Sequence, residues 1–184
     1  MRVLVAGGTV ISPTGARAAD VLAEDGAIVE VGQGLPREGA RVLDASGCLV
    51  LPGAVDVHTH FSLDLGFARV SDGFAQGTRS AAMGGVTCVV EHPGFGPAGC
   101  SLTHQVEACR KLAEGRCFVD YAVHGVAQST EASILAGLPE LARSGCPSVK
   151  AYTTYAGRVD EAGLLALMHA SAACPGGMVV AVHC

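Results

Sequence analysis

Two histidines separated by one residue are the first side chains in the sequence whose spacing suggests chemistry. His58 and His60 lie at the end of a short apolar segment that predicts a β-strand. Because alternate side chains of a strand project to the same side, both imidazoles could bind one metal ion. A His-x-His pattern also arises by chance, and the two residues would then be ordinary polar members of a strand-to-helix loop. Their place in the predicted sheet therefore decides between these interpretations.

Lys150 is a second candidate because it lies inside the apolar segment 147–152, which is typical of a buried parallel strand. A buried lysine is costly unless its charge is removed or paired. Burial lowers the pKa of the amine, and the neutral form can act as a nucleophile or react with CO2 to give a carbamate. The two carbamate oxygens could bridge two cations. The alternative is a lysine that extends its ammonium group to solvent at the end of the sheet.

A repeat of about 31 residues runs through most of the chain. Predicted strands start near Ala54, Val86, Cys117, Ser148 and Met178, the third covering 117–124. Helices are predicted to begin after Ser71-Asp72, Ser101, Thr130 and Asp160, with a break of the third helix at Pro139. This alternation indicates an α/β fold with a parallel sheet, either doubly wound or closed as a (β/α)8 barrel.

The segment after the first of these strands favours the barrel. A doubly wound fold calls for a glycine-rich phosphate loop there, and the sequence instead has His58-Thr59-His60-Phe61-Ser62. Eight such units would need about 250 residues, so we expect a TIM-type (β/α)8 barrel of which only about the first half is present. The sequence stops inside its fifth apolar strand, which predicts a truncated chain.

The barrel prediction brings the chemical candidates to one place. His58, His60, Lys150 and His183 all fall in the carboxyl-terminal portions of predicted strands, and these portions face one mouth of a barrel. A single histidine after an apolar strand, such as His183, is more often a packed core residue, so the convergence carries the argument. Glu91, His92 and His124 also end predicted strands, and we interpret them as residues that support the site or pack beside it.

Residues 1–53 predict a separate small β unit. Short apolar strands, the first ending at Ala6, flank the turn Asp25-Gly26, and this pair is a strong hairpin signal because both turn positions need a positive φ. We therefore predict two domains. Residues 1–53 form an N-terminal β unit that is part of a β-sandwich, and residues 54–184 form the first five strands of a truncated barrel.

Composition excludes several other classes of protein. The net charge of -5, without a cluster of Lys or Arg, argues against nucleic-acid binding. The uncharged segment 162–184 is split by Pro175-Gly176-Gly177, which argues against a membrane span. The eight cysteines contain no C-x-x-C pair and are expected to be reduced, and no secretory leader is recognisable at the N-terminus. We therefore expect a cytoplasmic protein.

Three segments together carry a resemblance to a known family. They are Leu51-Pro52-Gly53-Ala54-Val55-Asp56-Val57-His58-Thr59-His60, the helix Asp72-Gly73-Phe74-Ala75-Gln76-Gly77-Thr78 leading to Gly84-Gly85-Val86-Thr87, and Ser148-Val149-Lys150 followed by Tyr155. The combination resembles the cyclic amidohydrolases, and most of all their dihydropyrimidinase and D-hydantoinase branch. The resemblance covers nearly the whole chain.

The resemblance implies a site with two divalent metal ions, most often Zn²⁺. His58 and His60 would bind one ion, His183 the other, and a carboxylated Lys150 would bridge both. Tyr155 would donate a hydrogen bond to the oxyanion. The family completes its site with a further His and an Asp, the proton shuttle, from later strands that this sequence lacks, so we do not expect the 184-residue chain alone to turn over substrate. The complete protein would be a homo-oligomer, a dimer or a tetramer.

The implied reaction is hydrolysis of the cyclic amide C–N bond of hydantoins or dihydropyrimidines by a metal-activated hydroxide. Dihydroorotase relatives carry an arginine two residues after the second histidine to hold a carboxylate, and this sequence has Ser62 there. A small cyclic ureide or imide without that carboxylate is therefore the expected substrate. The alternatives are an allantoinase, a dihydroorotase-like cyclic amidohydrolase, or a non-catalytic fragment or scaffold of the same family.

Overall fold

The computed structural model describes residues 1–155 and 157–184, and the chain divides into two compact units, Met1–Pro52 and Gly53–Cys184. The first unit is a five-stranded sheet with the order β3-β2-β1-β4, and β5 also pairs with β1. β1 to β3 are antiparallel neighbours, whereas β4 and β5 run parallel to β1. The strands are β1 (Arg2–Ser12), β2 (Gly15–Glu24), β3 (Ala27–Gly32), β4 (Arg41–Asp44) and β5 (Leu49–Val50).

The first unit confirms the predicted hairpin and corrects the length of β1. Asp25 and Gly26 have φ values of 49° and 85° between the antiparallel β2 and β3, as the turn type requires. The expectation that the first strand ends at Ala6 is wrong, since β1 continues to Ser12 across an irregularity between Val5 and Gly8. The amide of Gly7 donates to the Asp20 carboxylate at 2.8 Å, so a residue distant in sequence satisfies the backbone at the irregularity and β1 continues beyond it.

The second unit alternates strands and helices. Its strands form two parallel sheets, β6-β7-β8 and β9-β10-β11. The elements are β6 (Ala54–Thr59), α1 (Phe74–Met83), β7 (Val86–Glu91), α2 (Leu102–Ala113), β8 (Asp120–Val123), β9 (Gly125–Val126), α3 (Ala132–Leu135), α4 (Leu138–Arg143), β10 (Ser148–Tyr152), α5 (Glu161–Ala172) and β11 (Val179–His183).

The predicted third strand, 117–124, differs from the structure. It begins only at Asp120 and is interrupted at His124, which separates β8 from β9. The backbone changes its partner at this point, because the amide of His124 donates to Glu91 O at 2.9 Å whereas the amide of Ala127 donates to Lys150 O at 2.8 Å. The interruption therefore joins the two sheets through one continuous piece of chain.

Two helix starts are confirmed and two are corrected. α2 follows Ser101, and α5 follows Asp160, whose carboxylate accepts a hydrogen bond from Gly163 N at 2.7 Å. α1 begins after Gly73, without a side-chain cap from the predicted Ser71-Asp72. The third helix begins after Glu131 instead of Thr130 and consists of two short helices. Pro139 lies in the first turn of α4, where its missing N–H costs nothing, so the break precedes it.

The apolar core of the second unit lies between its strands and helices. Fully buried members include Val106, Leu138, Leu141, Val149 and Leu167. All eight cysteines are free thiols. Within the described residues, no helix has both the length and the apolar character that crossing a bilayer requires.

Candidate active site

The candidates predicted from the sequence lie close together at one cavity of the second unit. His58 lies near the end of β6 and His60 directly after it, while Lys150 is in the middle of β10 and His183 ends β11. The side chains of His58, Lys150 and His183 line a cavity of about 1060 Å³. His60 is beside it, with its ring centroid 5.2 Å from that of His58.

Lys150 is buried without a compensating charge. It is 3% exposed, and among the residues that the structure describes it takes part in no ion pair. β10 pairs on one side with β9 at Val126 and on the other with β11 at Ala181, so the lysine lies between two strands. Burial lowers the pKa of its amine, which favours the neutral, reactive form.

His92 and His124 extend the histidine cluster along the same cavity. Their rings are stacked with centroids 4.0 Å apart, and the ring of His92 meets that of His58 at 4.3 Å. His124 Nε2 lies 3.0 Å from Val57 O, and its Nδ1 lies 2.7 Å from Ser148 Oγ. A carbonyl oxygen only accepts, so Nε2 carries the proton and Nδ1 accepts from the serine hydroxyl. His124 thus links β6 to β10 as a neutral ring.

His92 orients His60 through its main chain. Its own ring is buried, and this burial, together with the neighbouring bases His124 and Lys150, lowers the pKa of His92 to about 2. The His92 carbonyl oxygen lies 3.0 Å from Nδ1 of His60, which must therefore donate. This hydrogen bond leaves Nε2 of His60 as the nitrogen available to a metal ion.

Tyr155 lies beside His183. Its hydroxyl is 3.3 Å from His183 Nε2, and its backbone has a φ of 67°, in the left-handed region. The carbonyl oxygen of His183 accepts from both the amide and the hydroxyl of Thr153, at 2.9 and 3.1 Å. These contacts tie the loop after β10 to the end of β11 and hold the phenol at the rim of the histidine cluster.

The donors present fit divalent metal ions of the kind that imidazole and carboxylate bind. His60 has one free ring nitrogen, and Lys150 is a buried amine that forms no ion pair with any residue the structure describes. Within the described part of the chain, no three His, Cys, Asp or Glu side chains form a group that could hold a metal ion. The arrangement implied by the resemblance needs no such triple, because it gives one ion two imidazoles and the other ion one, with the lysine carbamate shared.

Glu91 is buried and holds two defined hydrogen-bond partners, which its position at the end of a strand did not predict. The side chain is 1% exposed, and its two carboxylate oxygens accept hydrogen bonds from Phe61 N at 2.6 Å and Thr59 Oγ1 at 2.8 Å. The signal in the sequence was a charged residue ending an apolar strand. Ser148, whose hydroxyl contacts the His124 ring, has no feature in the sequence that indicates a role in the site.

The comparisons with known proteins agree on one group of enzymes. No protein-family model matches the chain. D-phenylhydantoinase of Escherichia coli O9:H4 (strain HS) is 44% identical over 162 residues, which cover 88% of this chain and 35% of that protein. A solved D-hydantoinase superposes with a TM-score of 0.90 at 31% identity, and dihydropyrimidinase from Brevibacillus agri NCHU1002 with 0.88 at 28% identity.

The chain spans about a third of the length of these curated relatives and 40% of each of the two solved chains, while its own coverage in the two superpositions is complete. Sequence and structure thus point to the same proteins along nearly the whole chain. The chain belongs to the dihydropyrimidinase and D-hydantoinase branch of the cyclic amidohydrolases, and it corresponds to a portion of the length of these proteins.

Proposed function

We propose that the protein containing this chain hydrolyses the ring C–N bond of small cyclic ureides such as hydantoins and dihydropyrimidines. The observation that carries the proposal is the meeting of His58, Lys150 and His183 at one cavity, with His60 beside them. The relatives named D-phenylhydantoinase and dihydropyrimidinase support the same class of substrate.

The fold proposed for the complete protein is a TIM-type (β/α)8 barrel, in which β6 to β11 supply the first five strands. The direct connection of β8 to β9 through the single residue His124 supports this proposal, because it makes β8 and β9 two parts of one strand between β7 and β10. In such a barrel the carboxyl ends of the strands carry the active site. Residues 1–53 are proposed as part of a β-sandwich and residues 54–184 as the barrel portion.

We assign His58 and His60 to one divalent metal ion, His183 to a second, and Lys150 to both as its carbamate, with Zn²⁺ as the expected metal. Metal ions bound there would lower the pKa of water to about 7 and stabilise negative charge on the carbonyl oxygen of the substrate. The bond from His60 Nδ1 to His92 O prepares the first of these sites by fixing which ring nitrogen is free.

The environment of Lys150 supports its carboxylation. Burial lowers the pKa of the amine, so a larger fraction is neutral at physiological pH. The nitrogen lone pair of the neutral amine attacks the carbon of CO2. A new N–C bond forms, one C=O π bond opens so that its electron pair moves to oxygen, and one proton leaves the nitrogen for solvent. The product is an anionic carbamate in place of the neutral amine, and its oxygens could accept hydrogen bonds or bind metal ions beside the neighbouring imidazoles.

Tyr155 is proposed to donate its phenolic hydrogen to the oxyanion that develops when the ring amide is attacked. Its hydroxyl lies 3.3 Å from His183, so the donor and a proposed metal ligand share one rim of the cavity. A preformed donor at this place stabilises the transition state more than the ground state.

A substrate panel tests the proposal. The protein at its natural length, loaded with Zn²⁺, is assayed for ring opening of 5-phenylhydantoin, dihydrouracil, allantoin and dihydroorotate. We expect kcat/KM for one of the first two to exceed that for dihydroorotate by at least about 100-fold, because Ser62 offers no cation for the carboxylate of dihydroorotate. Preference for allantoin or dihydroorotate would favour the alternative substrates, and no ring opening of any of the four would favour the scaffold.

A further inference from the structure

We propose that Glu91 is a positioning residue for the metal-binding segment 58–61, in which its carboxylate fixes the direction of the His60 ring by holding the residues on both sides of it. The inference deepens the proposed function and depends on it for the role of His60. Among the described residues, the hydrogen bonds of the Glu91 carboxylate go to Thr59 and Phe61, so Glu91 acts through these two residues.

The two carboxylate oxygens of Glu91 bind the residues on either side of His60. One accepts a hydrogen bond from the amide of Phe61 at 2.6 Å, and the other accepts from the hydroxyl of Thr59 at 2.8 Å. Because these partners immediately follow and precede His60, the backbone at His60 cannot rotate without breaking one of the bonds. A single side chain from the neighbouring strand β7 therefore clamps the segment at two points.

Main-chain contacts of the next residue complete the clamp. The amide of His92 donates to Thr59 O at 2.9 Å, and Nδ1 of His60 donates to His92 O at 3.0 Å. Glu91 and His92 thus contribute these four hydrogen bonds to the segment, and the Glu91 side chain accepts two of them. Loss of these two would let the carbonyl of His92 and the ring of His60 move apart, and both tautomers of the ring would then be populated.

Burying the Glu91 carboxylate costs more free energy than a purely structural role would require. The carboxylate is 1% exposed and, among the described residues, forms no ion pair. A buried carboxylate without a cation is costly, and an apolar residue at this strand position would pack without that cost. The amide of Phe61, however, would then be a buried donor without an acceptor. A role in positioning the segment 58–61 explains why a carboxylate and not an apolar side chain occupies this position.

The chain offers variants that separate positioning from stability. Glu91→Gln keeps both bonds, because its carbonyl oxygen accepts from Phe61 N and its amide donates to Thr59 Oγ1, whose hydrogen turns to Val90 O at 3.3 Å. Glu91→Ala removes both bonds, and Thr59→Val removes one. Thr78→Val is the matched control: Thr78 is fully buried, donates to Phe74 O and accepts from Phe118 N at 3.1 Å, and neither partner belongs to the segment.

The first measurement is the affinity of each full chain for Zn²⁺, by competition with a chromophoric chelator. We expect Glu91→Gln and Thr78→Val to stay within about threefold of the unsubstituted chain, and Thr59→Val and Glu91→Ala to bind about tenfold more weakly, the loss typical of a partner that orients a metal ligand. Unchanged affinity in Thr59→Val and Glu91→Ala, or an equal loss in Thr78→Val, would overturn the proposal.

The second measurement needs no metal and separates this inference from the proposed function. Long-range ¹H–¹⁵N spectra of the metal-free chains at pH 8 report the tautomer of the His60 ring. We expect the Nδ1–H form in the unsubstituted chain and in Glu91→Gln, and a mixture with the Nε2–H form in Glu91→Ala and Thr59→Val. If the protein at its natural length bound no Zn²⁺ but the chains showed this pattern, the proposed function would fail and the positioning role would stand. The Nδ1–H form in every chain would refute the positioning role.

Discussion

Replacing Glu91 by glutamine should change how the stability of the chain depends on pH. Burial raises the pKa of the Glu91 carboxyl from 4.5 to about 7, although the hydrogen bonds from Thr59 and Phe61 oppose the increase. The folded chain therefore holds this proton more tightly than the unfolded chain does. Glutamine has the same shape, keeps the same hydrogen bonds and does not titrate.

The sign and size of the effect follow from this difference. Below pH 4.5 the carboxyl is protonated in both states, and its full stabilising contribution is present. As pH rises through the window from 4.5 to about 7, the unfolded chain loses the proton first, so the free energy of unfolding falls. Above pH 7 the loss levels off. A raised pKa of about 2.5 units corresponds to about 3 kcal/mol in total, of which about 2.5 kcal/mol falls between pH 5 and pH 8.

The assay is urea unfolding of both chains in the presence of a chelator, followed by circular dichroism at pH 5, 6, 7 and 8. The other ionisable groups are the same in both chains, so the difference between the two chains reports on Glu91. We expect Glu91→Gln to gain about 2.5 kcal/mol relative to the unsubstituted chain between pH 5 and pH 8. A difference that stays within about 0.5 kcal/mol across this range, or that changes in the opposite direction, would refute the argument from burial.

Three further substitutions test the contacts around the site. Gly77→Ala would ordinarily stabilise a helix by about 1 kcal/mol, but here the new Cβ would lie 2.0 Å from the Phe61 ring, so we expect a lower unfolding temperature, and a higher one would contradict the packing. Tyr155→Phe removes the hydroxyl that lies 3.3 Å from His183, and in the protein at its natural length it should lower kcat about 100-fold with little change in KM. A change in KM alone would mean that the hydroxyl binds the substrate in its ground state and does not stabilise the transition state. Lys150→Ala should lower ring opening by at least about 100-fold, with partial rescue by a short carboxylic acid, and wild-type turnover would disprove the bridging role.

Local patterns predicted some elements to the residue. β7 and β10 start at Val86 and Ser148, as predicted, since each is a short apolar run between polar or glycine-rich segments. The Asp25-Gly26 turn and the start of α5 after Asp160 also follow from residues adjacent in sequence. Where a pattern of a few residues determines the structure, the sequence is sufficient.

Contacts between residues distant in sequence explain the errors. β1 continues past Gly7 because Asp20, 13 residues away, accepts its amide hydrogen. The strand predicted over 117–124 breaks at His124 because the ring and backbone of this residue bond to three other strands, with partners up to 67 residues away. The positions of His58, Lys150 and His183 were predictable because parallel strands share one edge, whereas the Glu91 clamp depends on side-chain geometry that no spacing encodes.

The most direct test of the central claim is the rate of 5-phenylhydantoin ring opening as a function of added Zn²⁺. The protein at its natural length is first stripped with a chelator, and Zn²⁺ is then returned in measured amounts with bicarbonate present. If His58 and His60 hold one ion, His183 a second and Lys150 both, activity should be absent without metal and should reach its maximum at two ions per chain. Full activity in the stripped protein, or a maximum at one ion per chain, would contradict the account.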